Sequence, residues 1–173
     1  MLIRRERSGD ADHVRAVHTQ AFAPAYKDGP PPEPGLVDEL RNGSAWIDQL
    51  SLVALLDGRI IGHVCCTRAH LLPDRRPLLG LGPIGVLPEH QGGGVGSALM
   101  HAAIAAADAL DEPMIVLLGS PGYYRRFGLV PAVDLGVTPP VADWEPSFLA
   151  RTLTTYDSSL TGEFQYAEPF RDL

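Results

Sequence analysis

The sequence predicts a mixed α/β fold of the α+β type. One sheet is antiparallel first and parallel at a crossover, with helices on both faces. Three observations carry this. Asp57-Gly58 joins two short apolar runs and is a strong two-residue hairpin signal. A glycine-rich loop, Gln91–Gly96, separates an apolar strand from an alanine-rich amphipathic stretch. A fully apolar run, Met114–Leu118, follows Pro113. Strand, loop, helix and strand make a crossover unit, whose two strands are parallel neighbours. The 173 residues, 45% hydrophobic and 20% charged, suit a single domain over 1–173 with a sizeable core.

The elements follow in order. Residues 2–5 read as a short first strand. Ser8-Gly9-Asp10 is a helix-start signal, and Ala11, Val14, Val17, His18 and Ala21 then recur at helical spacing. Pro24 to Gly35 holds five prolines and reads as an irregular loop bordering a site. Leu36–Arg41 makes a short helix. Ser51–Leu56 and Ile60–Thr67 are the hairpin strands, Leu71–Pro77 a turn, and Leu78–Leu87 a third strand. The helix after the glycine loop places Val95, Leu99, Ala102, Ala103, Ala106 and Leu110 on one face. Met114–Leu118 is apolar throughout, as expected of a central strand. Tyr123–Phe127 is one helical turn, with Gly128 as a left-handed cap. Phe148–Leu153 and Gly162–Tyr166 read as late strands.

The charge excludes some functions. With 14 basic and 21 acidic residues the net charge is −7, so neither nucleic acid nor an anionic membrane is an expected partner. The pairs Arg4-Arg5 and Arg75-Arg76 read as solvated surface charge. Cys65 and Cys66 are adjacent, point to opposite faces of a strand and read as buried packing. Metal-ligand spacing is absent, so no metal is expected. The opening Met-Leu-Ile-Arg-Arg-Glu-Arg lacks a signal-like apolar run, and a cytoplasmic protein is expected.

The glycine loop suits a phosphate group. A helix start leaves unpaired N–H groups and the positive end of its dipole, and glycines let an anion reach them. A P-loop would need Lys where Ser97 stands. The dinucleotide fingerprint also fails, with Leu99 or Ser97 at its third position. A coenzyme A pyrophosphate remains, beside the plainer reading that the glycines only let the helix pack closely.

The run Val86-Leu-Pro-Glu-His-Gln91-Gly-Gly-Gly94-Val-Gly96-Ser-Ala-Leu99 resembles the GNAT acyltransferase signature, Gln/Arg-x-x-Gly-x-Gly/Ala after a strand ending in Val-x-Pro. Gly122-Tyr-Tyr124-Arg-Arg-Phe127-Gly128-Leu129 is similar to the family's Tyr-x-x-x-Gly-Phe element, with Leu129 replacing Phe. The run from Gly119 is similar to a subgroup of predicted N-acetyltransferases. Hairpin and strand order agree, so the resemblance covers most of the chain.

The resemblance implies acetyl transfer from acetyl-CoA, as acyl-donor cosubstrate, to a primary amine. It assigns the pyrophosphate to backbone N–H groups of Gln91, Gly92, Gly93, Gly94, Val95, Gly96 and Ser97. It assigns carbonyl polarisation to a backbone N–H near Ile84, Gly85 and Val86, where Pro83 and Gly85 suggest a bulge. The third strand is expected to splay from the crossover strand and admit the acyl-pantetheine arm. Tyr124 matches the family's thiolate-facing tyrosine, with Tyr123 as its alternative. The family's Asn after the crossover strand has no counterpart; Ser120 is the nearest polar group. The glutamate that many members place before the loop is missing, since Leu78–Leu87 carries no ionisable side chain. His63 is a candidate base, while Glu89 and His90 read as surface loop residues. The acceptor, a small-molecule amine or alternatively a protein N-terminus or lysine, is expected at the Pro-rich loop 24–35 and the C-terminal strands. A homodimer is compatible with these features. The alternative function is a non-catalytic acyl-CoA sensor or interaction module of the same fold.

Overall fold

The computed structural model describes residues 1–172. Leu2–Arg5 forms β1, Ala11–Phe22 α1, Glu33–Asn42 α2, Trp46–Leu56 β2, Arg59–Leu72 β3 and Arg76–Val86 β4. Then come α3 (Val95–Ala109), β5 (Met114–Leu118), the single turn α4 (Pro121–Tyr124), β6 (Val130–Pro131), β7 (Val137–Thr138), β8 (Phe148–Thr152) and β9 (Gly162–Gln165). The main strand order is β1-β2-β3-β4-β5-β8-β6. Only β4 and β5 run parallel along that path, as the crossover requires. The apolar β5 lies between β4 and β8, in the central place expected of it.

Several boundaries differ from the sequence expectation. β2 starts at Trp46 rather than Ser51, because its pairing with Thr67 resumes beyond an irregular stretch containing the exposed Asp48 and Gln49. β3 continues to Leu72, where β9 takes over as partner through Leu71↔Phe164. The expected turn 71–77 therefore shrinks to Pro73–Arg75. Leu110, placed on the α3 face, lies past the helix and is 40% exposed. Arg4 and Arg76 are not simply solvated. Arg4 pairs with Asp10 at 2.6 Å, and Arg76 donates to the Ser159 carbonyl at 2.6 Å.

Alternation along β3 sends neighbouring residues to opposite faces and fixes which helix each one meets. Gly62 faces α3, where an added Cβ would stand 3.0 Å from Leu99 Cδ1 and 3.1 Å from Val95 Cγ1. His63 faces α1 and hydrogen-bonds His18. The helices thus sandwich the sheet. On α3, Val95, Leu99, Met100 and Ala103 are buried. On α1, Val14, Val17 and His18 are buried. Cys65 and Cys66 are buried free thiols. Among the described residues no helix is long and apolar enough to cross a membrane.

Candidate active site

The loop before α3 presents bare backbone. Gly92 has φ +73° and Gly94 φ +87°, the left-handed region that glycine tolerates without strain. Added Cβ atoms at either would meet nothing within 4 Å, so they would occupy open space in front of the loop. The first α3 hydrogen bond runs from the Ala98 N–H to the Gly94 carbonyl, which leaves the preceding amides of the first turn outside the ladder. Gln91 is tied back, its Nε2 donating to the Val86 carbonyl at 3.0 Å. Gln91, Gly92, Gly93 and Gly94 are exposed, Gly96 and Ser97 half-buried, and Val95 buried beneath α3. Free amides, a glycine cradle and the positive end of a 15-residue helix fit a pyrophosphate.

β4 leaves β5 a short way along. They pair at Leu79↔Ile115 and Gly80↔Val116. Beyond that point β4 is irregular, its register against β3 shifting between the Val64 and Cys66 pairings. The irregularity holds Gly82 and Pro83, not Gly85, which pairs regularly with His63. Gly85 answers a different demand. A Cβ there would lie 2.9 Å from His18 Nδ1, so glycine lets α1 approach. The Leu87 N–H bonds to Ile61 on β3, and antiparallel alternation turns the Ile84 and Val86 backbone groups the other way. The Gln91 contact with the Val86 carbonyl agrees with that direction.

The splay opens a cavity of about 480 Å³. Leu81, Gly82, Pro83, Ile84, Leu117, Leu118 and Tyr124 form one side, and Phe22, Glu33, Trp144, Tyr166 and Phe170 complete the wall. Gly119 positions Tyr124: a Cβ there would fall 2.3 Å from Tyr124 Cε2, so only glycine lets the ring cross the end of β5. Burial pushes the Tyr124 hydroxyl up to about 12, so it keeps its proton throughout the neutral range. Tyr123 goes elsewhere, its hydroxyl 2.9 Å from a Cβ built on Gly96 at the start of α3. The motif therefore sends one tyrosine to the cavity and one to the loop. Ser120 is exposed, and its backbone carbonyl accepts the Tyr123 and Tyr124 amides at 3.0 and 3.1 Å. It holds the turn and does not line the cavity.

His63 does not line the cavity either. It is wholly buried, with Nδ1 2.7 Å from His18 Nε2 and Nε2 2.9 Å from Ser51 Oγ. Ser51 gives its hydroxyl proton to Glu6, so His63 Nε2 must donate to Ser51 and His63 Nδ1 must accept from His18. Glu6 in turn binds Arg41 at 2.8 Å. Burial lowers the affinity of both rings for a proton, and Glu6 only partly offsets this at His63. Glu89, on the surface, pairs with Arg59 at 3.1 Å.

Glu33 escaped the sequence reading. It sits in the Pro-rich stretch that the sequence marks as an irregular loop, yet it begins α2 and reaches the cavity. An acidic residue just before Pro34 was the available signal, since proline is favoured in a helix's first turn. Among the described residues no group of three or more His, Cys, Asp or Glu side chains is placed to hold a metal ion.

A splayed sheet with a glycine-cradled helix start beside it is the arrangement that the resemblance to the GNAT acyltransferases implies. The chain belongs to the acetyltransferase (GNAT) family, whose model matches residues 13–129. It is 32% identical over 166 residues to the uncharacterized N-acetyltransferase YjhQ of Escherichia coli K12, covering 92% of this chain and 88% of that protein. A GNAT family acetyltransferase from Brucella melitensis, solved with acetyl-CoA, is 33% identical at a TM-score of 0.80, covering 98% of this chain and 97% of its own. The E. coli GNAT protein YhbS, solved with CoA, is 27% identical at a TM-score of 0.87, covering 98% and 91%.

Proposed function

We propose that this enzyme transfers an acetyl group from acetyl-CoA to a primary amine of a small molecule. The observation that carries the reading is the course of β4, which leaves β5 so that one cavity joins the splay to Tyr124. The amides of the loop Gln91–Ser97 hold the pyrophosphate, and those of Ile84 and Val86 polarise the thioester carbonyl. Bound CoA and acetyl-CoA in the two similar structures support the choice of donor.

The neutral amine nitrogen attacks the carbonyl carbon. The N–C bond forms, the C–S bond breaks, and the thiolate takes the proton of Tyr124 Oη. The proton shed by the nitrogen then returns to the Tyr124 oxygen, so the step needs no further base. A hydroxyl with its pKa raised to about 12 remains loaded for this donation at neutral pH.

Calorimetric titration with acetyl-CoA, ATP and NAD tests the donor. Saturable binding of acetyl-CoA alone is expected. Preference for ATP or NAD, or no binding by folded protein, would overturn the reading.

A further inference from the structure

The acceptor side of the cavity carries a chemical signature of its own. Among the described residues that line the cavity, Glu33 is the one charged side chain. Its Oε1 accepts from the Tyr26 hydroxyl at 2.9 Å. Its Oε2 is buried and has no hydrogen-bond partner. A buried carboxylate oxygen is costly to leave unmatched, and the group that satisfies it best is a cationic donor. The rings of Phe22, Trp144, Tyr166 and Phe170 line the same cavity. Trp144 meets Tyr166 edge-on at 6.3 Å, and Tyr166 lies 4.7 Å from Phe170, so these three rings form a continuous aromatic surface. Such a surface attracts an ammonium through its ring faces and an apolar body by contact. No Lys, Arg or His is among the described residues of the lining, so the wall holds no cationic side chain for a carboxylate.

Resting on the acetyl-transfer reading, we infer that the acceptor is a monoamine on an apolar, preferably aromatic, body without a carboxylate, and that Glu33 Oε2 pairs with its ammonium. One proton leaves to solvent water before the neutral nitrogen attacks. Aromatic amino acids are rejected, because their carboxylate would lie in the same cavity as Glu33 without a counter-charge. Glu33 thus sets specificity, while the donor's own contacts lie on β4, α3 and Tyr124.

The test compares 2-phenylethylamine with phenylalanine, which differ by that carboxylate. Full-length protein, acetyl-CoA and release of free thiol give the rates. The amine is expected to exceed phenylalanine in kcat/KM by about 100-fold. Glu33→Gln keeps an acceptor for Tyr26 and should lose about 100-fold towards the amine, mainly through KM. Its calorimetric affinity for acetyl-CoA and its melting temperature should match wild type. Equal or better use of phenylalanine, or an unaffected Glu33→Gln, would overturn the inference and leave acetyl transfer standing. Where acetyl-CoA binds but neither compound turns over, 2-phenylethylamine is titrated into the protein–CoA complex. Saturable binding weakened by Glu33→Gln supports the inference, and absence of binding refutes it. Failure to bind acetyl-CoA would remove both readings.

Discussion

Tyr124 and the buried histidine pair are polar side chains that differ in what burial does to them. At Tyr124 burial keeps the hydroxyl protonated, as the proposed donation to the thiolate requires. Tyr124→Phe should lower kcat by about 100-fold or more with little change in acetyl-CoA affinity. Single-turnover rates and calorimetry check this, and an unchanged chemical step would remove the acid role. At His18 and His63 burial favours the neutral rings. Their folded-state pKa values lie below the ordinary one of about 6.5, so the unfolded chain binds more protons as pH falls. The stabilisation is complete above about pH 6.5 and is lost as pH falls below it towards the folded values. Urea midpoints should therefore drop between pH 7.5 and 5.5, and His18→Leu should flatten that slope. A wild-type midpoint independent of pH would contradict a neutral buried pair.

Elements show where sequence reasoning reaches and where it stops. The hairpin, the crossover, α3 and the Gly128 cap were legible because each depends on local signals: a turn dipeptide, an apolar period, a left-handed glycine at φ +77°. The two tyrosines were separable by motif register, but only packing against Gly119 and Gly96 decides where each ring goes. α2 begins before the predicted Leu36 because Pro34, a loop signal by composition, occupies the helix's first turn. The two-residue strands β6 and β7 have no period to detect. Gly85 suggests a bulge by its sequence alone, whereas its demand comes from His18, 67 positions earlier in the chain. That contact makes a prediction. Gly85→Ala forces a methyl into a buried ring and should cost about 1–3 kcal/mol. Gly92→Ala, in open space, should cost about 1 kcal/mol from backbone strain alone. Equal losses by denaturant titration would argue against the close approach of α1 to β4.

At the scale of the molecule, the site joins parts that fold for separate reasons. The glycine loop depends on α3 seated against Gly62, and the splay depends on β4 parting from β5. The aromatic wall of the cavity depends on α2 and the C-terminal segment, where Leu36, Leu40 and Ala167 are buried together with Phe170 packed against them. A donor that spans loop and splay binds only the assembled arrangement, so it must stabilise the fold by mass action. At 100 times its Kd, acetyl-CoA should add about 2.7 kcal/mol, a melting shift of roughly 5–11 °C for a chain of this size. Gly94→Glu should abolish that shift, because its side chain and charge enter the open space proposed for the pyrophosphate. Without ligand the variant should melt only slightly lower, since Gly94 is exposed and the strain of φ +87° is its main cost. A full ligand-induced shift in Gly94→Glu would place the pyrophosphate elsewhere. A large loss of stability without ligand would instead mean that the loop is part of what holds α3 on the sheet.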